Sequence, residues 1–236
     1  FGKKVRIIGA LLLVVGGILN MGLFLKVGAI FIQSVFGLDP QGSTLIIIML
    51  VLLVLVLIYT MSGGMISVIV TDYIQYVVLS IGFMFAVFYS INYFGWSGIF
   101  LKLEGLRSYE QIYNPIENKG FAYISWQVVL GFVSAVIWPT AITRVLAIKD
   151  VKMVKSQYVW SSISFLSRFI IPCFLGICAF IYFDGDTDSY NTLSIMPMYL
   201  YEILPNGMLG VVVAGMLAAF MSTHDSYLLC WSTIIT

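Results

Sequence analysis

Six apolar stretches, each about as long as the hydrocarbon core of a bilayer is thick, leave this chain few folds to choose from. Lipid offers the backbone no hydrogen-bonding partner. A spanning segment must therefore satisfy its own amides as an α-helix, or pair them in a closed barrel. These stretches lack the period-2 alternation of barrel strands, which points to helices. Composition agrees, because 61% of the 236 residues are hydrophobic and only 10% are charged, too few to cover a soluble domain. The expectation is an all-α integral membrane protein with about six transmembrane helices, residues 1–236 being a fragment of a single transmembrane transporter domain.

The expected spans are 7–36, 43–61, 65–93, 123–146, 157–183 and 207–236. The first follows the basic Gly2-Lys3-Lys4-Val5-Arg6 and is long enough to tilt or protrude; its Lys26 is expected to snorkel to an interface. Gly37-Leu38-Asp39-Pro40-Gln41-Gly42 is turn chemistry. The second span is apolar on every side, so it is expected to face lipid or lie buried without lining a pathway. Ser62-Gly63-Gly64 predicts a tight reversal into the third span, which carries Thr71, Asp72 and Gln75 near its start. Gly95 to Ala122 reads as an external loop with a short amphipathic helix and a turn at Tyr113-Asn114-Pro115.

The fourth span contains Ser134 and then Trp138-Pro139-Thr140. Proline inside a membrane helix frees backbone carbonyls, which is tolerated where protein or a cavity satisfies them. Arg144, Lys149, Lys152 and Lys155 make a basic connection to the fifth span, and Asp184, Asp186 and Asp188 an acidic loop after it. Ile195 to Leu204 is expected to form a short hairpin or re-entrant helix.

The last stretch, Gly207 to Thr236, changes character along its length. Small residues (Ala214, Gly215, Ala218, Ala219) give way to Ser222, Thr223, His224, Asp225 and Ser226. On a helix Ala219, Ser222 and Ser226 share a face, with Asp225 beside them. Small residues let a second backbone come close, and hydroxyls offer oxygen to a hard cation. The competing interpretation is packing alone, with each hydroxyl bonded to its own helix. An ionisable residue at membrane depth is by default a site candidate, and Asp225 with Ser226 weakens the packing interpretation without removing it.

The remaining residues exclude other functions. A net charge of +1 makes no case for nucleic-acid binding, and one histidine makes none for a histidine-based metal site. Cys173, Cys178 and Cys230 fall inside apolar runs and read as packing residues. The chain opens on Phe1 and stops at Thr236, so a piece of a longer protein is expected. Six spans place both basic segments on one side, which the positive-inside rule makes cytoplasmic, with the acidic loop 184–190 outside. Asp72 and the end of the last span then both face the inner half of a cell membrane.

Four stretches, in order, resemble the sodium:solute symporter family, the group holding sodium/proline, sodium/pantothenate and sodium/glucose carriers. They are Phe1-Gly2-Lys3-Lys4 before a span, and Gly63-Gly64 followed by Thr71-Asp72 and Gln75. The others are Pro139 with Arg144 and Ala147, and Ala218-Ala219-Phe220-Met221-Ser222-Thr223. The resemblance implies part of a LeuT-type inverted-repeat core, with spans one to three similar to its helices three to five and spans four to six similar to helices six to eight.

It also implies sodium-coupled uptake of a small organic solute, with sodium as the only cofactor and the rest of the chain needed to complete the sites. Ser222 and Thr223 look like hydroxyl ligands of the main sodium site, and Ala219 like its carbonyl ligand. Asp72 resembles the inner carboxylate on the exit path; with Ser226 and the additional Asp225 it implies a possible second sodium site. The region before Pro139 departs from the aromatic pattern of sugar and proline carriers, reading Gly131-Phe132-Val133-Ser134-Ala135 with Trp138 displaced toward the proline, so neither solute is assigned. Ser134, Trp138, Pro139 and Thr140 are the substrate-facing candidates.

Two other classes stay open. A transporter-like sensor would be marked by a cytoplasmic kinase module after the last span. An intramembrane enzyme is disfavoured, because Asp72 and Asp225 have no protease motif around them.

Overall fold

The computed structural model of the chain describes residues 2–38, 43–106, 115–146, 148–186 and 191–236. Phe1, the 39–42 part of the first turn, Tyr113-Asn114, Ala147 and Asp188 lie outside the described residues. The helices are α1 (Lys3–Val35), α2 (Ser43–Phe94), α3 (Trp96–Glu104), α4 (Pro115–Lys119) and α5 (Phe121–Ile137), followed by α6 (Pro139–Leu146), α7 (Val151–Tyr182), α8 (Thr192–Ile203) and α9 (Asn206–Ile235). No strand occurs among the described residues. Six stretches there are long and apolar enough to cross a membrane: Lys3–Val35, Ser43–Ser62, Val68–Phe94, Phe121–Leu146, Val151–Tyr182 and Asn206–Ile235.

The boundaries follow local chemistry. Asp150 caps α7 by accepting a hydrogen bond from the Lys152 amide at 2.9 Å, and Asn191 caps α8 through the Leu193 amide at 3.1 Å. Asp150 thus starts α7 several residues before the expected fifth span, so Lys152 and Lys155 belong to a helix rather than to a connecting loop. Gly95 and Gly120 adopt φ of 71° and 81°, a region open to glycine, where the chain enters α3 and α5. The expected hairpin or re-entrant segment near Ile195 is the helix α8.

The reversal expected at Ser62-Gly63-Gly64 takes an unexpected form. Helical backbone persists through it, giving α2 a run of 52 residues. A straight helix of that length would reach about 78 Å, over twice the thickness of a hydrocarbon core. The Tyr59 side chain nevertheless interacts with that of Gln75, sixteen residues on. In a straight helix these residues would stand about 24 Å apart, so α2 doubles back between them. Its two arms, Ser43–Ser62 and Val68–Phe94, are separate candidate spans.

Two compact units are present: Phe1–Tyr89 with Asp188–Thr236, and Ser90–Thr187. In the first, α9 is flanked by α1 and by the second arm of α2. Contacts on α1 run backward as those on α9 advance: Gly28 with Phe220, Met21 with His224, Asn20 with Tyr227, Gly17 with Trp231. The second arm runs antiparallel too, with Gly82 against Val212 and Leu79 against Gly215. The tightest approaches need their glycines. A Cβ on Gly215 would lie 2.9 Å from the Leu79 Cα, and one on Gly28 would lie 2.7 Å from the Phe220 ring. Above the polar stretch, Phe31, Val35 and Val213 form an apolar core with Leu209, Met216 and Leu217 packed on it. Helix α8 packs against α1.

In the second unit α3 lies on α7, with Ile99 and Leu103 buried and Trp96 stacked on Phe174 at 6.3 Å. The fourth span is broken. Trp138 leaves the helical region (φ −69°, ψ 115°) and Pro139 opens α6 at a position where a missing N–H costs nothing. Of the cysteines, Cys178 and Cys230 are buried, whereas Cys173 is exposed, so the packing role expected for all three holds for two.

The glycine contact generates a paired prediction. Gly215→Ala should lower the stability of the purified full-length protein by about 1–3 kcal/mol, because the new methyl meets backbone that cannot swing aside. Gly210→Ala, on the same helix but with nothing within 4 Å of its Cβ position, should change it by no more than about 0.5 kcal/mol. Thermal melts of the two variants beside wild type check this.

Candidate functional site

The polar stretch of α9 is read best one turn at a time. Ser222 Oγ donates to the Ala219 carbonyl oxygen at 3.1 Å, and Thr223 Oγ1 donates to the same oxygen at 2.9 Å. Both bonds are the i−3 and i−4 back-bonds that hydroxyls make on apolar helices. Their effect is to gather three oxygens on one turn. Each hydroxyl spends its proton on the carbonyl and keeps lone pairs for another partner. The two half-buried hydroxyls keep hard oxygen lone pairs that suit a hard cation, while the Ala219 carbonyl that gathers them already accepts both of their protons. No thiolate or imidazole is among the three.

One turn further on, the helix is tied to neighbours on two sides. His224 is buried, with Nδ1 3.0 Å from the Phe220 carbonyl and Nε2 3.3 Å from the Met21 carbonyl of α1. Either tautomer can donate to one of these oxygens. The ring also lies 4.0 Å from that of Phe220, which covers Gly28. Below it, Asn20 Nδ2 donates to the Tyr227 hydroxyl at 3.0 Å.

On the other side stands Asp225, fully buried. Its Oδ2 accepts from the Tyr59 hydroxyl at 2.6 Å, and its Oδ1 accepts from Ser226 Oγ at 3.2 Å. Tyr59 also lies 3.1 Å from the Met221 carbonyl, and Ser226 Oγ lies 2.8 Å from the Ser222 carbonyl. Asp72, from the second arm of α2, is close enough to act electrostatically on Asp225. Gln75, one turn along from Asp72, reaches Tyr59. Three chain segments thus converge on one carboxylate.

Ala219, Ser222 and Thr223 are therefore brought together, and Asp225, Ser226 and Asp72 form a neighbouring group. The second span is not the bystander expected from its apolar surroundings. Leu52, Val56 and Thr60 turn one face inward, and Tyr59 beside them engages Asp225. The signal for Tyr59 is the first hydroxyl after the apolar run from Leu45 to Ile58, directly before Thr60. His224 and Asn20 are the other contributors that spacing alone does not pair.

The substrate-facing candidates lie in the second unit, around the helix break. The Trp138 amide donates to the Ser134 carbonyl at 3.0 Å, ending α5. The Trp138 carbonyl accepts from the Ala141 and Ile142 amides at 3.1 and 3.3 Å, starting α6. Pro139 is buried, Trp138 and Thr140 are half-buried, and Ser134 is exposed.

Comparison with known proteins places the chain. The model of the sodium:solute symporter family matches residues 1–236. Sodium/glucose cotransporter 1 of Oryctolagus cuniculus is 24% identical over an alignment taking in 89% of this chain and 37% of that protein. The sodium/proline symporter of Staphylococcus aureus is 28% identical over 90% of this chain and 40% of that protein. The chain thus spans less than half the length of these relatives. No solved structure matches it.

The α1–α9 seam can be tested through its polar pair. Asn20→Leu and Tyr227→Phe should each destabilise the full-length protein, and the double variant should lose less than the sum. The expected coupling is about 0.5–1.5 kcal/mol, read from a double-mutant cycle of thermal melts.

Proposed function

The chain belongs to the sodium:solute symporter family, and from that membership we propose that it is part of a carrier that takes up a small organic solute with sodium. The observation that carries this reading is the convergence of the Ala219 carbonyl with the Ser222 and Thr223 hydroxyls on one turn of α9. These oxygens are the sodium ligands supplied by this chain, and the rest of its own protein completes the shell. The relatives named above both couple to sodium by name while differing in solute, which supports sodium and leaves the solute open.

In this reading the helices form part of a LeuT-type inverted repeat in the cell membrane. α1 and the two arms of α2 stand for core helices three to five, and α5 with α6, α7 and α9 for helices six to eight. The Phe1 end is cytoplasmic and the 184–190 loop external. No covalent chemistry is needed. Sodium bound at Ser222 and Thr223 favours the outward-open state to the extent that it binds that state more tightly. The solute is held at the broken helix, near Ser134, Trp138, Pro139 and Thr140, where interrupted backbone offers polar groups. Release of sodium inward passes Asp72, Asp225 and Ser226, which also have the oxygen chemistry for a second ion.

A cation that binds only the folded protein raises its melting temperature as its concentration rises. The purified full-length protein should melt higher in sodium than in potassium of equal ionic strength. At about 100 times the dissociation constant the stabilisation should be about 2.7 kcal/mol. The Ser222→Ala/Thr223→Ala variant should lose this response. A wild type that responds equally to both salts would overturn the reading and move the sensor alternative ahead.

A further inference from the structure

Asp225 is a carboxylate with no exposed surface, in a helix that lipid and protein enclose. Such a group is costly unless its charge is met by hydrogen bonds or by a cation. Ser226, its neighbour on the same helix, serves it through its backbone and through its hydroxyl at 3.2 Å, which also faces the Ser222 carbonyl at 2.8 Å. The short bond is the one from Tyr59, at 2.6 Å, and it comes from a different span. Asp72 nearby adds like charge rather than relief.

Tyr59 is well placed for more than filling space. Its hydroxyl is shared between Asp225 Oδ2 and the Met221 carbonyl, the residue directly before Ser222. It meets Gln75, on the arm of α2 that carries Asp72. One phenol therefore touches both segments flanking the carboxylate pair and the backbone leading into the oxygen-bearing turn.

We propose that Tyr59 is a positioning residue that holds Asp225 away from the coupling ion, so that sodium leaves the Ser222–Thr223 turn readily; this rests on the sodium-symport reading. The phenol supplies the hydrogen bond that Asp225 would otherwise seek from a cation. Without it, Oδ2 turns to sodium, and the ion is held more tightly and released more slowly. Asp225→Asn removes the demand itself, so the phenol no longer matters to the ion.

The test uses the full-length protein purified in detergent, with sodium chloride titrated against potassium chloride. The half-saturating sodium concentration is read from the melting temperature, and sodium dissociation from stopped-flow dilution into potassium. Tyr59→Phe should lower the half-saturating concentration about threefold or more, as expected for losing a hydrogen bond to a charged group, and slow dissociation. Asp225→Asn should raise it, and Tyr59→Phe/Asp225→Asn should match Asp225→Asn alone. A purely structural role would lower the melting temperature in potassium and leave the sodium titration unmoved. That result, or independent addition of the two single effects, overturns the proposal.

Should Tyr59→Phe fail to accumulate, the double variant should still do so, because the charge served by the phenol is gone. Failure of both would also overturn it. A wild type without any sodium response removes the symport reading and this inference together, whereas a responding wild type with an indifferent Tyr59→Phe removes only the inference.

Discussion

Lipid cannot hydrogen-bond, and α9 carries Ser222, Thr223, His224, Asp225 and Ser226 in succession at membrane depth. Everything around that row answers the problem it creates. The hydroxyls turn back on the Ala219 and Ser222 carbonyls, His224 reaches the α1 backbone, and Asp225 takes a phenol from the second span. Enclosure has to be tight for this to work, since each unmet polar group would cost several kcal/mol. Glycine supplies the tightness. Gly17 and Gly28 admit aromatic rings of α9 on one side, while Gly82 and Gly215 bring backbones together on the other. The polar row and the small residues beside it are two halves of one arrangement.

The helical class was legible because hydrophobic length and the absence of alternation are properties of single segments. The break at Trp138-Pro139 was legible for a similar reason: proline lacks an amide wherever it stands. Helical spacing placed Ala219, Ser222 and Ser226 on one face; the set Ala219, Ser222 and Thr223 came from the family resemblance, and i−3 and i−4 bonds join it. What could not be read was pairing between segments. Tyr59 lies at the end of a run whose other residues announce only lipid, and nothing local says that Asp225 will be opposite it. The Gly63-Gly64 reversal was visible as an event but not as a form, because a chain can double back while keeping helical backbone. The start of α7 was missed because lysines suggest a loop, whereas Asp150 as a cap decides the matter.

Intrahelical hydroxyl bonds are often taken to mean that a serine or threonine serves only its own helix. On the proposed sodium reading the same bonds also perform the assembly that an ion site needs. They fix two hydroxyl oxygens against one carbonyl oxygen and leave the lone pairs unspent. Packing and binding are therefore not rival accounts of Ser222 and Thr223. On that same proposed reading the adjoining carboxylate sharpens the point: a neutral turn beside Asp225, whose charge Tyr59 meets at 2.6 Å, would lead a departing cation toward negative charge.

The central claim is that this turn of α9 binds sodium, and counting bound ions tests it most directly. Equilibrium binding of radioactive sodium to the purified full-length protein should be saturable, displaced by unlabelled sodium and not by potassium, and lost when Ser222 and Thr223 are both alanine. Saturable binding that survives loss of both hydroxyls would contradict the account. So would the absence of any saturable binding in the wild type.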